Sequence, residues 1–396
     1  MRRLLVVSPL FPNRIQPSKG IFVKQRLLQL RRHFDIHVVS PIPWPSPRTA
    51  AIPPHDVIDG IEVWYPRYFR IPKVAQSLLG YFYFLSLVIF MKKFVTRHVC
   101  DAIFAHWAYP DAFGMALMTP ILKKPLFVQV HGSDINWGTR SYLRRKMIAF
   151  ALRRARTVFS VAYHLQEKIV TLGIEGQHIC VVPNGVNHEV FYPRDQNAAR
   201  ARLGLPPQKK IALFVGNLVD VKGLPYLIEA AALSTKVRKD LLFLIVGEGP
   251  HKQALHRLIV EHQLQEHVRL LGSKSHQEIP SWMSSCDLLC LPSLSEGCPN
   301  VVIEALASGR PVAGTEVGDI PRLLRMPAGG YTVAPGDSKA LAEGIAKVLA
   351  QAWDPDVLSR SVQALTWEKT ASEICARVSA EFDGSRRHCS ACNRLS

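Results

Sequence analysis

The sequence predicts an α/β protein built from two doubly wound, Rossmann-like domains with a cleft between them. Its 396 residues, 48% of them hydrophobic, are enough for two domains that each bury a core. Short apolar runs alternate with helical stretches in both halves, which is typical of parallel sheets covered by helices on both faces. Parallel sheets of this kind bind ligands at their carboxyl edges, so two of them facing each other predict a ligand in the cleft.

Each half carries six apolar runs of strand length. In the first half they are residues 4–7, 36–39, 102–105, 126–130, 157–161 and 179–182. In the second half they are residues 211–215, 241–246, 268–271, 287–291, 311–313 and 330–333. Strands spaced in this way by helices indicate βαβ units rather than hairpins.

A turn cluster, Pro183-Asn184-Gly185-Val186, separates the two halves. It predicts a first domain at residues 1–184 and a second at 185–365, with the linker at about 184–205. A last helix at 366–383 is expected to pack back toward the first domain. Residues 384–396 are polar and are expected to form a flexible tail, in which Cys389 and Cys392 supply only half of a zinc site.

Charge is unevenly distributed along the chain. The formal net charge is +18, and residues 1–200 hold 27 Lys and Arg against 11 Asp and Glu. A basic surface concentrates anions, which leaves an anionic membrane, an acidic polymer or a nucleic acid as partners. The basic half contains no motif of a known nucleic-acid module, so we expect an anionic membrane surface and no nucleic acid.

The sequence shows neither a disulfide framework nor an export signal. Its eight cysteines are scattered, as expected in a reducing cytosol. The apolar run at residues 4–7 is too short for the core of a signal peptide. We therefore expect a cytoplasmic protein, peripheral on the inner face of the plasma membrane.

The segment Leu78–Met91 is almost wholly apolar and is followed by Lys92 and Lys93. Fourteen residues fall short of the roughly 20 that a membrane-spanning helix needs. Two interpretations remain, a buried helix of the first domain or an interfacial helix with aromatic side chains at headgroup depth.

The run from Ser293 to Ala305 holds two carboxylates, Glu296 in a loop and Glu304 on the helix that follows. Amides near Gly297, Asn300 and Val301, at the start of that helix, are placed to hold a phosphate. One turn further, Glu304 can accept two hydrogen bonds from a ribose diol. Glu296 then remains to bind hydroxyl groups of a sugar.

The stretch from Asp287 to Pro321 closely resembles the donor-site signature of retaining glycosyltransferases of family 4, which have the GT-B architecture. The resemblance extends over nearly the whole chain and is strongest at residues 211–321. It implies that Glu296 and Glu304 lie in the donor site. The run near the N-terminus looks most like that of bacterial enzymes that build surface polysaccharides.

A second element, Gly216 to Leu224, turns from a strand into a helix. Lys222 in this loop can neutralise a diphosphate as the glycosidic bond breaks. The family usually carries an arginine beside this lysine, where the present sequence has Asn217, so one cationic contact is missing or replaced. A further departure is Asp319, which stands after Gly318 where a second glycine is common.

Three more residues complete the predicted site. Gly20 lies at the start of a helix, where its backbone can approach a diphosphate. His131 follows a strand at the carboxyl edge, where the family has a histidine that approaches the donor sugar. Ser273 lies in the loop where the family holds the base of the nucleotide. Val246-Gly247-Glu248-Gly249-Pro250 lacks the third glycine of a dinucleotide fingerprint and is expected to be a tight turn.

The resemblance implies a retaining hexosyltransferase that uses a nucleotide sugar, UDP- or GDP-linked, and a saccharide or lipid-linked acceptor. We predict His131, Glu296 and Lys222 as catalytic residues, and we expect no metal or other cofactor. The donor-binding set is Gly20, Asn217, Lys222, Ser273, Glu296, Gly297, Asn300, Val301 and Glu304. The alternatives are a nucleotide-sugar epimerase or phosphorylase on the same fold, or a non-catalytic membrane adaptor.

Overall fold

The computed structural model describes residues 1–17, 19–46, 49–70, 76–325 and 328–382. The chain divides into two compact units, one formed by Met1–Asn184 with the segment from Trp367, the other by Gly185–Thr366. The predicted flexible tail and the pair Cys389 and Cys392 lie outside the described residues.

The first unit contains ten strands and seven helices among its described residues. Its strands are β1 (Arg2–Val7), β2 (Phe34–Val39), β3 (Ile42–Trp44), β4 (His55–Ile58), β5 (Ile61–Trp64), β6 (Arg67–Phe69), β7 (Ala102–His106), β8 (Leu126–Val130), β9 (Thr157–Ser160) and β10 (Ile179–Val181). Its first six helices are α1 (Ile21–Leu30), α2 (Leu79–His98), α3 (Phe113–Leu122), α4 (Ser133–Asn136), α5 (Tyr142–Arg154) and α6 (Tyr163–Val170).

The second unit follows the same alternation. Its helices are α7 (Gln196–Leu203), α8 (Leu224–Val237), α9 (Lys252–Glu261), α10 (Ile279–Ser285), α11 (Asn300–Ala307), α12 (Ile320–Arg325), α13 (Ser338–Ala350) and α14 (Pro355–Ser361). Its strands are β11 (Lys210–Val215), β12 (Leu241–Val246), β13 (Val268–Gly272), β14 (Leu288–Leu291), β15 (Val312–Thr315) and β16 (Gly330–Val333). The last helix, α15 (Trp367–Phe382), belongs to the first unit.

The sheets are doubly wound, as predicted. The first unit has an eight-stranded sheet of order β10-β9-β8-β7-β1-β2-β5-β4, and the second has a six-stranded sheet of order β13-β12-β11-β14-β15-β16. All strand pairs in these sheets are parallel except β4 with β5. Because the order reverses direction beside β1 and beside β11, a crevice for ligands is expected at these carboxyl edges.

All twelve predicted strands are confirmed, and four strands between residues 40 and 70 were not predicted. These four are β3 to β6, of which β3 and β6 form a separate two-stranded sheet. They are short, and a proline lies inside β3 at Pro43. Short runs broken by proline give a weak alternation signal, which explains why the sequence pattern did not reveal them.

A buried cation lies where the chain leaves and re-enters the first unit. Arg26 on α1 is fully buried and donates a hydrogen bond to Oδ1 of Asn184 over 2.7 Å. Its guanidinium lies 5.7 Å from the ring centroid of Trp367, the first residue of α15. Ala371, Ile374 and Val378 of α15 are also part of the core that β1, β2 and α1 form. The guanidinium therefore lies beside Asn184 and Trp367, the two residues of the first unit that flank residues 185–366.

Part of the predicted linker is a helix. Residues 196–203 form α7, whose first turn is capped by Asp195, which accepts a hydrogen bond from the amide of Ala198. Arg200 on this helix is buried and donates to Oδ2 of Asp287 over 2.6 Å and to the carbonyl of Ser285 over 2.9 Å. These partners are far away in sequence, so the polar composition of the segment gave no sign that it would dock.

Helix α2 is longer than predicted and has two different faces. Within the described residues it is the one helix that is long and apolar enough to cross a membrane by length and composition alone. One face, with Tyr83, Leu87 and Met91, is fully buried. On the opposite face Leu85 and Ile89 are 66% and 68% exposed. The helix thus has a buried face, as the first interpretation expects, and an exposed apolar face, as the second expects.

We expect Arg200→Met to destabilise the second unit by about 3 kcal/mol, because removing one partner of a buried ion pair leaves Asp287 undercompensated. Hydrogen-exchange mass spectrometry would then show backbone amides of β11 and β14 exchanging about a hundredfold faster. Arg202→Met, on the exposed face of the same helix, is the matched control and should leave exchange unchanged. Equal exchange in both variants would contradict the structural role of Arg200.

Candidate active site

The centre of the candidate site in the second unit is an ion pair between two loops at the carboxyl edge of the sheet. Lys222 lies after β11, and Glu296 lies between β14 and α11. The strands β11 and β14 are neighbours in the sheet. Nζ of Lys222 donates to Oε1 of Glu296 over 2.6 Å, and the two side chains are 21% and 11% exposed. The hydroxyl of Ser293 donates to the same oxygen over 2.6 Å. The pair is therefore partly shielded from water and fixed in place.

The two loops approach closely because Gly223 has no side chain. Its φ is 62°, and a Cβ atom there would lie 2.1 Å from the carbonyl oxygen of Pro292. The amide of Leu294 donates to the carbonyl of Val221 over 2.8 Å, which joins the loops directly. Any side chain at position 223 would push the loop that carries Lys222 away from the loop that carries Glu296.

Helix α11 begins directly after the second loop. Pro299 precedes its first turn, and Val301 lies in that turn, where helix geometry leaves amide groups without an acceptor inside the helix. The partial positive charge of a helix start favours an anion. The amide of Asp319 donates to the carbonyl of Gly297 over 3.1 Å. Asp319, the residue that departs from the family pattern, therefore supports this loop through its own backbone.

Glu304 lies one turn into α11 and is half-buried. Within the described part of the chain its carboxylate accepts no hydrogen bond, in contrast to the carboxylate of Glu296. Burial raises the pKa of Glu304 to about 7. A half-buried carboxyl group without a protein partner is suited to bind a ligand hydroxyl.

Asn217 and Ser273 lie at the same edge of the sheet but outside this cluster. Both are exposed, and neither side chain forms a hydrogen bond with the residues described. The turn at Val246–Pro250 packs on the loop of Asn217, since the amide of Leu218 donates to the carbonyl of Glu248 over 3.0 Å. The structure thus brings Lys222, Glu296 and the start of α11 together, and it places Asn217 and Ser273 on neighbouring loops.

In the first unit, the structure brings together the two predicted residues, Gly20 and His131. Gly20 has φ 65° and directly precedes α1, and a Cβ atom there would lie 2.2 Å from the carbonyl oxygen of Leu10. Phe22, in the first turn of α1, has its ring centroid 5.3 Å from that of His131. Trp107 stacks on the same imidazole at 4.1 Å. His131 therefore packs against the rings of Phe22 and Trp107, close to the glycine loop.

Burial lowers the pKa of His131 well below its ordinary value, and electrostatic interactions with the neighbouring His106 and Arg26 lower it further. The pKa of His106 is lowered in the same way, mainly by burial. Nδ1 of His106 and Nε2 of His131 are 3.0 Å apart and hydrogen-bonded. Both imidazoles are therefore neutral near pH 7.

Sequence reasoning missed three polar residues at this edge, namely His106, Asp111 and Asp134. Oδ1 of Asp134 accepts hydrogen bonds from the amides of His131, Gly132 and Ile135, and its Oδ2 accepts one from the amide of Ala108 over 2.9 Å. Asp111 is fully buried and accepts a hydrogen bond from the hydroxyl of Tyr83 over 2.7 Å.

Burial raises the pKa of Asp111 to about 8. His106, Asp111 and Asp134 lie on or soon after β7 and β8, so the rule that ligand groups gather at strand ends could have identified them.

The described part of the chain contains no group of three or more His, Cys, Asp or Glu side chains arranged to hold a metal ion. Its six cysteines form no disulfide bond with one another.

Comparison with known proteins extends these observations. Residues 20–190 match the family model described as Glycosyltransferase Family 4, and residues 195–362 match the model described as Glycosyl transferases group 1. TuaC of Bacillus subtilis, which carries the name of a teichuronic acid biosynthesis glycosyltransferase, is 28% identical over 97% of this chain and 95% of its own. N-acetyl-alpha-D-glucosaminyl L-malate synthase of Bacillus anthracis is 26% identical over 67% of this chain and 70% of its own.

Solved structures share the fold. Sucrose-phosphate synthase from Thermosynechococcus elongatus aligns with a TM-score of 0.81 at 21% identity and covers 97% of this chain and 100% of its own. HepE from Anabaena, in complex with UDP and glucose, aligns with a TM-score of 0.75 at 20% identity over 96% of this chain and 100% of its own. The family models and the shared fold together define a glycosyltransferase of the GT-B architecture. The chain belongs to glycosyltransferase family 4, as the two family models show.

The raised pKa of Glu304 predicts a pH-dependent stability. In the unfolded chain the pKa of a glutamate is about 4.3. Between that pH and about 7, the folded state therefore binds one proton more than the unfolded state, on Glu304. The stability from this proton is present at low pH and is lost as the pH rises through 7. Calorimetry from about pH 5 to about pH 8 should show wild type losing about 2 kcal/mol relative to Glu304→Gln. Parallel curves of stability against pH for wild type and Glu304→Gln would contradict the raised pKa of Glu304.

Proposed function

We propose that the protein transfers a sugar from a nucleotide diphosphate donor to a saccharide or lipid-linked acceptor with retention of the anomeric configuration. The observation that carries this proposal is the Lys222–Glu296 ion pair beside the start of α11. An ammonium group and helix amides next to one another suit a diphosphate, and an adjacent carboxylate suits sugar hydroxyl groups.

Each donor-side group has a distinct task in this proposal. Lys222 and the amides near Val301 bind the diphosphate, Glu304 accepts hydrogen bonds from the ribose, and Glu296 binds hydroxyl groups of the transferred sugar. Glu296 also holds Lys222 in place through the 2.6 Å contact. Lys222 thereby stabilises the negative charge that develops on the leaving diphosphate, without a requirement for a metal ion.

Retention places the new bond on the face from which the nucleotide departs. The acceptor oxygen forms a bond to the anomeric carbon while the bond from that carbon to the diphosphate oxygen breaks. The electron pair of the broken bond stays on the phosphate oxygen, which also takes the proton of the acceptor hydroxyl. No protein base is needed, and a His131 kept neutral by burial fits a role as a hydrogen-bonding group.

The names of two similar proteins support the proposed classes of acceptor and donor. TuaC carries a name in teichuronic acid biosynthesis, which favours a saccharide acceptor in cell-surface polysaccharide assembly. HepE was solved with UDP and glucose, which favours a UDP-linked donor among the nucleotide sugars. A thermal-shift screen of UDP, GDP and ADP sugars tests the donor, because specific binding stabilises the folded state by mass action.

Two other functions differ in what they would produce. An epimerase acts on the nucleotide sugar alone, so it would change the free donor without any acceptor. A membrane adaptor would bind no nucleotide sugar at all. NMR of the reaction mixture with and without acceptor separates these outcomes and reads the anomeric configuration of the product directly. An inverted product would overturn the proposed retention.

We expect Lys222→Ala and Glu304→Ala each to lower kcat/KM for transfer at least about a hundredfold, the scale of losing one electrostatic contact at the transition state. Lys236→Ala removes an exposed lysine near the end of α8 and is the matched control, expected to retain normal turnover. Initial rates at saturating acceptor measure the effect. Near-normal turnover in both site variants would count against the proposed donor site.

We also propose that the first unit binds the cytoplasmic side of an anionic membrane through an apolar face on α2. This apolar face consists of Tyr81, Leu85 and Ile89, which lie four residues apart and are 44%, 66% and 68% exposed. Lys92 and Lys93 follow on the same helix and are exposed. Apolar and aromatic side chains next to lysines are the combination that binds an anionic bilayer surface.

The neighbouring two-stranded sheet extends this apolar face. Trp44 on β3 and Phe69 on β6 are 58% and 40% exposed, with ring centroids 6.4 Å apart. The ring of Phe69 lies 5.7 Å from that of Phe82, and its amide donates to the hydroxyl of Ser86 over 3.0 Å. Aromatic residues from three elements, β3, β6 and α2, thus lie side by side, as in proteins that insert rings at headgroup depth.

We expect the double variant Leu85→Glu and Ile89→Glu to bind vesicles of phosphatidylglycerol and phosphatidylcholine at least about tenfold more weakly, because burying new charge at the interface is costly. Co-sedimentation at low salt measures this binding. Val237→Glu changes an apolar residue in the second unit that is 86% exposed and serves as the control. If wild type stays in the supernatant, the membrane proposal fails while the transfer proposal stands.

A further inference from the structure

His106 is a buried polar residue at the end of β7 that the transfer chemistry has not yet used. It is 0% exposed, and β7 pairs with β8, the strand that precedes His131. Its only hydrogen bond to the described residues joins its Nδ1 to Nε2 of His131 over 3.0 Å. Its other ring nitrogen, Nε2, is buried and has no hydrogen-bond partner among those residues.

We propose that His106 is a positioning residue that fixes the tautomer of His131, so that His131 presents an Nδ1–H donor to a hydroxyl group of a sugar substrate. This inference rests on the proposed function. It adds a residue outside the predicted site and states which nitrogen of His131 meets the substrate.

The direction of the bond follows from counting protons. A neutral imidazole carries one N–H, and both rings are neutral here, so one ring donates and the other accepts. If His131 were the donor, the proton of His106 would lie on its buried Nε2, where no acceptor is available. A buried N–H without an acceptor is the rarer and more costly arrangement. His106 therefore donates from Nδ1.

The consequence falls on His131. Since its Nε2 accepts the bond from His106, its own proton lies on Nδ1, which makes no hydrogen bond with the residues described. The ring cannot turn easily, because Trp107 stacks on it at 4.1 Å and Phe22 packs beside it at 5.3 Å. Fixing the tautomer through the second nitrogen is how partner groups commonly orient a functional histidine.

The test uses two variants of His106 that differ in hydrogen bonding. His106→Asn keeps an N–H donor at nearly the position of Nδ1, whereas His106→Leu removes it. With the sugar donor and the acceptor substrate that wild type uses, His106→Leu should lose roughly tenfold in kcat, the scale of one net hydrogen bond. His106→Asn should retain most of the activity. Gln129→Met changes packing on the strand beside His106 without touching the ring–ring bond and is the control.

A substrate series separates positioning from folding. With donor sugars that each lack one hydroxyl group, wild type should be slowed by the analogue that lacks the contacted hydroxyl, and His106→Leu should show no added penalty for that analogue. Histidine-selective nitrogen-15 NMR of wild type, assigned with His131→Asn, should show the proton of His131 on Nδ1.

An Nε2–H tautomer in wild type, or equal rates in wild type and His106→Leu, would overturn the inference. Absence of transfer by wild type would instead remove the proposed function.

Discussion

The candidate site of the second unit depends on one contact, the 2.6 Å ion pair between Lys222 and Glu296. The two residues are 74 positions apart and meet because β11 and β14 are neighbouring parallel strands whose carboxyl ends open on the same edge. A lysine side chain alone samples many conformations in water. The ammonium group of Lys222 is held by a partly buried carboxylate that Ser293 also contacts. In the transfer that we propose, this contact fixes the ammonium group before a diphosphate binds and so reduces the reorganisation needed during the reaction.

The fold was largely predictable from sequence, because parallel strands buried on both faces are continuous apolar runs that need no partner information. All twelve such runs became strands. The elements that the sequence pattern did not predict are those that depend on tertiary contacts. The polar composition around Arg200 predicts a linker, yet the segment forms a helix that is held in place by the hydrogen bonds of Arg200 to Asp287 and Ser285. The strands β3 to β6 were missed because they are short and are stabilised by their neighbours rather than by their own pattern.

The grouping of residues in the candidate site was predictable where its signal is local and unpredictable where it is not. The glycine turns and the carboxylates around α11 lie in one run, so Glu296, Gly297 and Glu304 could be identified together. The pairing of Lys222 with Glu296 could not, and the sequence assigned the two side chains to different parts of the donor. His106 was overlooked because the predicted strand ended at residue 105, whereas β7 extends one residue further and carries its imidazole to the edge.

The first unit also shows why a strongly basic sequence does not imply a strongly charged site. The excess of Lys and Arg in residues 1–200 is large, yet several polar groups at the strand ends are neutral. Burial keeps both histidines uncharged, and it raises the pKa of Asp111 to about 8, so that this carboxyl is mostly protonated at pH 7. Neutral donors and acceptors bind hydroxyl groups without competing for counterions, which suits a saccharide. In the membrane binding that we propose, the basic character of this half acts elsewhere, through the exposed lysines beside the apolar face of α2.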